Sequence, residues 1–197
     1  MTSPVDLTTL AAVDAYLNIS TDPTTPANQL LATLITAASQ FISSYCDRIF
    51  QSTAYSEVRD SAGGKGEWLT LGFPIISVQQ VLLGSTNIPP SGGWTAGGSA
   101  PSGYGFGKWS IYVQGYEIPF ARKFTTLSYT AGYATIPADL AQATTEVVAL
   151  KFKQKDRIGI SGSESIDGQS ITYRDIAMSQ SALAVINTYR RVTPIPQ

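Results

Sequence analysis

Leu127-Ser128-Tyr129-Thr130-Ala131-Gly132-Tyr133, followed after two residues by Ile136-Pro137-Ala138-Asp139-Leu140, is the stretch that decides the fold. Its first half alternates as a β-strand does, and Gly132 then supplies a turn. Its second half puts a proline at the start of a run in which Leu140, Ala143, Val147 and Leu150 recur at helical spacing. A strand ends and a helix begins within a few residues. This predicts a junction between a β part upstream and a helical part downstream.

Upstream of that junction the period is two. Ala54 to Arg59, Glu67 to Leu71, Ser77 to Leu83, Ser110 to Val113 and Phe124 to Tyr129 read as strands of a small β lobe over residues 51–134. Gly84 to Lys108 carries Pro89-Pro90, Gly92-Gly93 and Gly97-Gly98, is too long for a hairpin turn, and reads as a loop or arm. Further upstream, residues 1–50 predict two helices. The first runs from about Thr9 to Leu17 behind a cap at Thr8 or Asp6, and the second opens at Pro26 and reaches roughly Phe50.

Downstream, residues 135–197 begin with a helix over about Ala138 to Asp156, whose late turns hold Lys151, Lys153 and Lys155, favourable at the negative end of a helix. Ser165 to Ile171 predicts a β-hairpin around Asp167-Gly168. A fourth helix follows from roughly Ile176 to Tyr189, and Arg190-Arg191 lead into a tail that Pro194 and Pro196 keep out of a helix. The expected class is α+β. A helical bundle, made of the N-terminal helix pair plus the third and C-terminal helices, carries an inserted small antiparallel β lobe, as one domain with an insertion.

Bulk properties narrow the function. Charged residues are 14% of the 197-residue chain and hydrophobic residues 43%, with a mean hydropathy of +0.04. So uncharged a surface suits a subunit that buries much of itself against copies of itself. A net charge of -1 provides no broad positive field for gripping DNA. With no histidine and a single cysteine, Cys46, internal disulfides and the common zinc sites drop out. Met1 to Asp6 has no basic run before an apolar stretch, and no segment is long enough to span a membrane, which predicts synthesis in the cytoplasm.

Three passages together carry a resemblance. Asp6 to Leu17 looks like the first helix, and Leu30 to Phe50, ending Ser44-Tyr45-Cys46-Asp47-Arg48-Ile49-Phe50, like the second helix, of the tailed-phage head-tail connector (neck adaptor) family. The strand-to-helix join at Leu127 to Leu140 resembles the same family, while the Gly84 to Lys108 segment is longer and richer in glycine than its pattern. The resemblance implies a structural protein, not an enzyme, that needs no cofactor or metal. It implies a ring of about twelve copies in the virion neck that docks on the portal protein and presents its other face to a stopper or tail-completion protein. DNA passes through the lumen without sequence-specific binding, no membrane is involved, and the chain is made in the host bacterial cytoplasm.

Candidate contact residues follow. Arg190, Arg191 and Ile195 are expected to strap the portal, the arginines pairing with carboxylates and Ile195 anchoring; the alternative is a frayed terminus. Ile166, Ile171 and Tyr173 of the hairpin, with Trp94, Tyr104 and Phe106 of the arm, are expected between subunits; the alternatives are a self-contained hairpin and burial in the β lobe. Gly103 to Lys108 superficially suggests a phosphate loop, but Lys108 leads into strand-like Trp109-Ser110-Ile111-Tyr112 instead of opening a helix. Two other functions stay open: a receptor- or carbohydrate-binding module of a phage tail, using the aromatic arm, and a hydrolase built on carboxylates or a Ser-Lys pair, for which no motif is present.

Overall fold

Strands longer than the sequence signals organise the middle of the chain. The computed structural model describes residues 5–64, 66–92, 102–157, 162–164, 170–172 and 178–191. The chain divides into two units: Ile49–Thr135, and Met1–Arg48 together with Ile136–Gln197.

Within the first of these, β1 (Thr53–Ala62), β2 (Gly66–Leu69), β3 (Ile75–Leu83), β4 (Thr86–Ile88), β5 (Gly103–Phe106), β6 (Ser110–Gln114) and β7 (Phe120–Ala131) form two antiparallel sheets, ordered β1-β7-β3-β4 and β2-β6-β5. The central strand β7 shows why: Thr125, Leu127, Tyr129 and Ala131 are buried, while Thr126, Ser128 and Thr130 alternate with them at half exposure. Registers Tyr55 to Tyr129 to Val78 and Glu57 to Leu127 to Val81 put that buried face against Trp68, Tyr104, Ile111 and Val113 of the three-stranded sheet. Gly132 closes the strand at a φ of 114°, where the Gln51 carbonyl occupies the place a Cβ would need. Its N–H bonds Pro74 O and the Tyr133 N–H bonds Phe50 O.

The second unit is built from α1 (Leu10–Leu17), α2 (Pro26–Tyr45), α3 (Ala138–Gln154), a 3-10 turn over Lys155–Arg157, the paired strands β8 (Gly162–Glu164) and β9 (Ser170–Thr172), and α4 (Gln180–Thr188). Thr9, Thr25 and Ser179 cap α1, α2 and α4 by accepting from the N–H three residues on. Asn18 and Asp47 take left-handed conformations past α1 and α2, and paired return bonds such as Asp47 N to Ser44 O and Arg48 N to Ser43 O end α2 five residues before Phe50. Val13, Leu31, Ile35, Ile42, Leu140, Val147, Val148 and Ile186 are fully or almost fully buried in this unit.

The expected class is corrected on one point. The protein is α+β, but 32% of the described residues are in strands and the β unit has its own extensive core, so it is sheet-rich and not a helical bundle with a small lobe. The shortfall has identifiable sources. β7 begins at Phe120 across the charged pair Arg122-Lys123, where Lys123 adopts a φ of 51° opposite a register shift at Asp60. Two strands, β4 and β5, lie inside the segment read as an arm. β5 is Gly103-Tyr104-Gly105-Phe106, a composition that strands avoid, and it pairs because the Tyr112 ring fills the space above Gly105.

Candidate partner-binding surfaces

In the helical unit, the end of α4 is fastened to the end of α2. The Arg191 N–H donates to Cys46 O at 3.0 Å, Arg48 Nη1 to Tyr189 O at 3.4 Å, and Tyr45 Oη to Asn187 Oδ1 at 2.9 Å. Tyr189 Oη reaches both Asp139 oxygens, at 2.7 and 2.8 Å, tying the same corner to the start of α3. The Arg190 guanidinium lies 5.4 Å from the Tyr45 ring centroid, and Lys151 Nζ 5.5 Å from that of Phe41. Phe41 and Tyr45 stack in turn, with centroids 6.4 Å apart. Two cations thus sit over two adjacent rings, a contact worth about 0.5–1 kcal/mol each at an exposed site. Arg190 is exposed and Arg191 half-buried, so this corner presents an oriented positive charge at the base of the C-terminal tail.

Cys46 has no nucleophilic role at this corner. It is fully buried with Sγ 3.6 Å from Ile186 O, and burial pushes its thiol up to about 11, with Arg48 and Arg190 opposing that shift.

In the β unit, the buried carboxylate of Glu57 is satisfied. Glu57 is buried and accepts from the Leu71 N–H at 3.0 Å, from Arg59 Nε at 2.7 Å and from Tyr129 Oη, and the Gly72 N–H donates to Tyr129 Oη at 3.0 Å. Burial first, and the bond to Glu57 second, push the Tyr129 hydroxyl up. This network holds Leu71-Gly72 in place, and its groups are committed to one another. Among the described residues, no three His, Cys, Asp or Glu residues gather where they would hold a metal ion.

At the rim of the three-stranded sheet, Phe106, Trp109, Leu69 and Leu71 are exposed. Trp109 packs on Phe73 with centroids 4.5 Å apart, and Lys108 Nζ stands 4.9 Å from the Trp109 centroid. Tyr104 is different: it is buried in the unit's own core, and its hydroxyl donates to Val78 O at 3.2 Å. Its ring is part of the unit's own core. Phe106 remains exposed on the next but one residue.

Ile171 lies on β9, where its backbone pairs with that of Ser163. Trp94, Ile166, Tyr173 and Ile195 lie outside the described residues. The aromatic pair Phe41 and Tyr45 beneath Lys151 and Arg190 escaped the sequence reading. The available signal was a helix of twenty residues without a charge that ends against two basic segments.

The sequence model of the head completion protein family matches residues 6–192 of this chain. A chain in the neck of the native GTA particle computed with C12 symmetry has a similar fold, with a TM-score of 0.59 and 15% identity over 100% of this chain and 95% of that one. One in the neck of the empty GTA particle computed with C6 symmetry gives 0.57 and 17%, covering 95% of this chain and 91% of the other. A chain in the virion of the native gene transfer agent (GTA) particle gives 0.57 and 16% over the same shares. At such identities the likeness is one of fold. No curated protein matches the sequence.

Proposed function

The chain belongs to the head completion protein family, a structural component of the head–tail neck, and from that membership we propose that its copies close into a ring on the portal. The ring has about twelve members, docks on the portal protein with one face, and meets a stopper or tail-completion protein with the other. DNA passes through its lumen, and the protein carries out no chemistry of its own. The observation that carries this reading is the family match over nearly the whole chain. The fold shared with chains of symmetric necks supports it.

The surface chemistry suits this role. Arg190 and Arg191, fixed at the corner of α2 and α4, launch the tail toward carboxylates of the portal, with Ile195 as its apolar anchor. Phe106 at the rim of the β unit, Trp94 earlier in the chain, and Ile166, Ile171 and Tyr173 of the C-terminal hairpin contact neighbouring subunits. The β unit is the insertion of a single adaptor domain. A net charge of -1 gives a lumen along which DNA slides without being held.

Negative-stain electron microscopy of the purified protein mixed with portal rings from the same particle tests this. A collar of added density at one end of the portal is expected. Bare portals at every protein and salt concentration would count against the assignment, and binding to glycans instead would favour a receptor-binding module.

A further inference from the structure

The outward face of α2 carries no charge. The helix runs for 20 residues, Pro26–Tyr45, without one Asp, Glu, Lys or Arg, where an average composition supplies about five. Its inward side holds Leu31, Ile35, Ala38 and Ile42. At about 3.6 residues per turn, Thr33, Ala37 and Gln40 fall on the opposite side, with Leu30 and Phe41 on the flank between the two. All five are exposed, Leu30 at 37% and Phe41 at 41%. Large apolar side chains thus stand toward the two ends of the stripe, and Thr33 and Ala37 between them are small enough to let another element approach the helix backbone.

Building on the ring reading above, we propose that this stripe is one half of the contact between neighbouring copies of the chain in the ring. Closing a ring head to tail requires each subunit to bury one patch against a different patch on the next copy, so a long uncharged strip is expected on every subunit. A face that met portal carboxylates or the DNA backbone would carry cations. The cations of this unit's described residues lie off this face, after the end of α2 at Arg48, on the last turns of α3 at Lys151 and Lys153, at Lys155 and Arg157 just beyond, and after α4 at Arg190 and Arg191. Only Lys151 reaches the stripe, over Phe41 at its C-terminal end. Apart from the Asp6 carboxylate, which accepts from Thr36 Oγ1 at 2.9 Å beside the stripe, the length between Leu30 and Phe41 is uncharged and fits an equally uncharged surface, which a second copy of a chain with 14% charged residues offers.

The test places the photo-cross-linker p-benzoylphenylalanine at position 37 and, separately, at position 33 of the full chain, assembles each with portal rings, and identifies the linked peptides by mass spectrometry. Links between two copies of this chain are expected. Links to the portal, or within one chain, would overturn the proposal. In parallel, Thr33→Glu and Ala37→Glu are expected to raise the protein concentration for half-complete collars by roughly tenfold or more, with the unfolding midpoint of the isolated protein unchanged. Collars that form from both variants at the wild-type concentration would remove α2 from the interface and leave the ring reading intact. A wild-type protein that forms no collar would overturn both.

Discussion

Replacing Tyr129 by Phe isolates the polar network that fixes the β unit. The ring is fully buried and stacks on Tyr55 with centroids 5.3 Å apart, so Phe preserves its packing and the loss is confined to one hydroxyl. That hydroxyl accepts from the Gly72 N–H and donates to the buried Glu57 carboxylate. Orphaning a buried N–H costs about 1–3 kcal/mol, and losing a hydrogen bond to a charged group about 1.5–3 kcal/mol. Glu57 keeps Arg59 and the Leu71 N–H, which limits the second term, so the expected loss is about 3–4 kcal/mol. All three tryptophans, Trp68, Trp94 and Trp109, fall in the β unit, so their fluorescence reports its unfolding. With a urea slope of about 2 kcal/mol/M, the midpoint of that transition should fall by about 1.5–2 M at an unchanged slope. A fall of less than about 0.5 M would refute the account of this network.

Other perturbations address separate parts of the molecule. Asp14 is almost fully buried between α1 and α2 and its Oδ1 has no hydrogen-bond partner, nor does the buried Asn28 Oδ1 nearby; burial holds the Asp14 carboxyl above its usual range. Because the folded state prefers the proton, this group costs stability as pH rises past the ordinary carboxylate range. Asp14→Asn, whose amide can donate to Asn28, should stabilise by about 1–2 kcal/mol at neutral pH and by little near pH 3–4, measured as the difference in melting temperature between the two conditions. Gly132→Ala should lose about 2–4 kcal/mol, because it meets both a φ of 114° and the Gln51 carbonyl, whereas Gly64→Ala, at a φ of 72° with open space around it, should lose only about 1 kcal/mol in the same chemical denaturation. Cys46 should resist a disulfide-exchange reagent at pH 8 for as long as the protein is folded; rapid labelling of native protein would contradict its burial and raised pKa. Arg190→Glu should raise the concentration needed for portal collars by roughly tenfold while leaving the melting temperature close to wild type.

The junction at Leu127 to Leu140 was legible because each part has a local cause. Alternation in β7 follows from one buried face, Gly132 from the approach of Gln51, and the start of α3 from Pro137 as its cap residue. The start of α2 was legible from Pro26 in its first turn, whereas α1 is capped by Thr9 and not by Thr8 or Asp6 as expected. The weight of the β unit was not legible. Gly103-Tyr104-Gly105-Phe106 becomes a strand only because Tyr112 of a partner strand covers Gly105, and Arg122-Lys123 stays in β7 because the Lys123 N–H finds Asp60 Oδ1 on β1. Both are contacts between strands, one across the neighbouring strands β5 and β6 and the other between Lys123 and Asp60, far apart in sequence, in segments whose composition reads as loop. Among contact residues, the chemistry of Arg190 was visible, but its place over Tyr45 depends on how α4 returns to α2. Tyr104 and Phe106 looked alike in sequence and, two residues apart in β5, share a face; Tyr104 is buried in the core while Phe106, at the end of the strand, is exposed.

The most direct measurement is a cryo-electron microscopy reconstruction of the neck of the particle that encodes this chain. The account predicts a ring of copies with this fold, seated between portal and tail and enclosing the DNA channel, in which the α2 stripe of each copy lies against the next. Density for the chain at a tail tip or fibre, or a neck whose ring is built from a different fold, would contradict it.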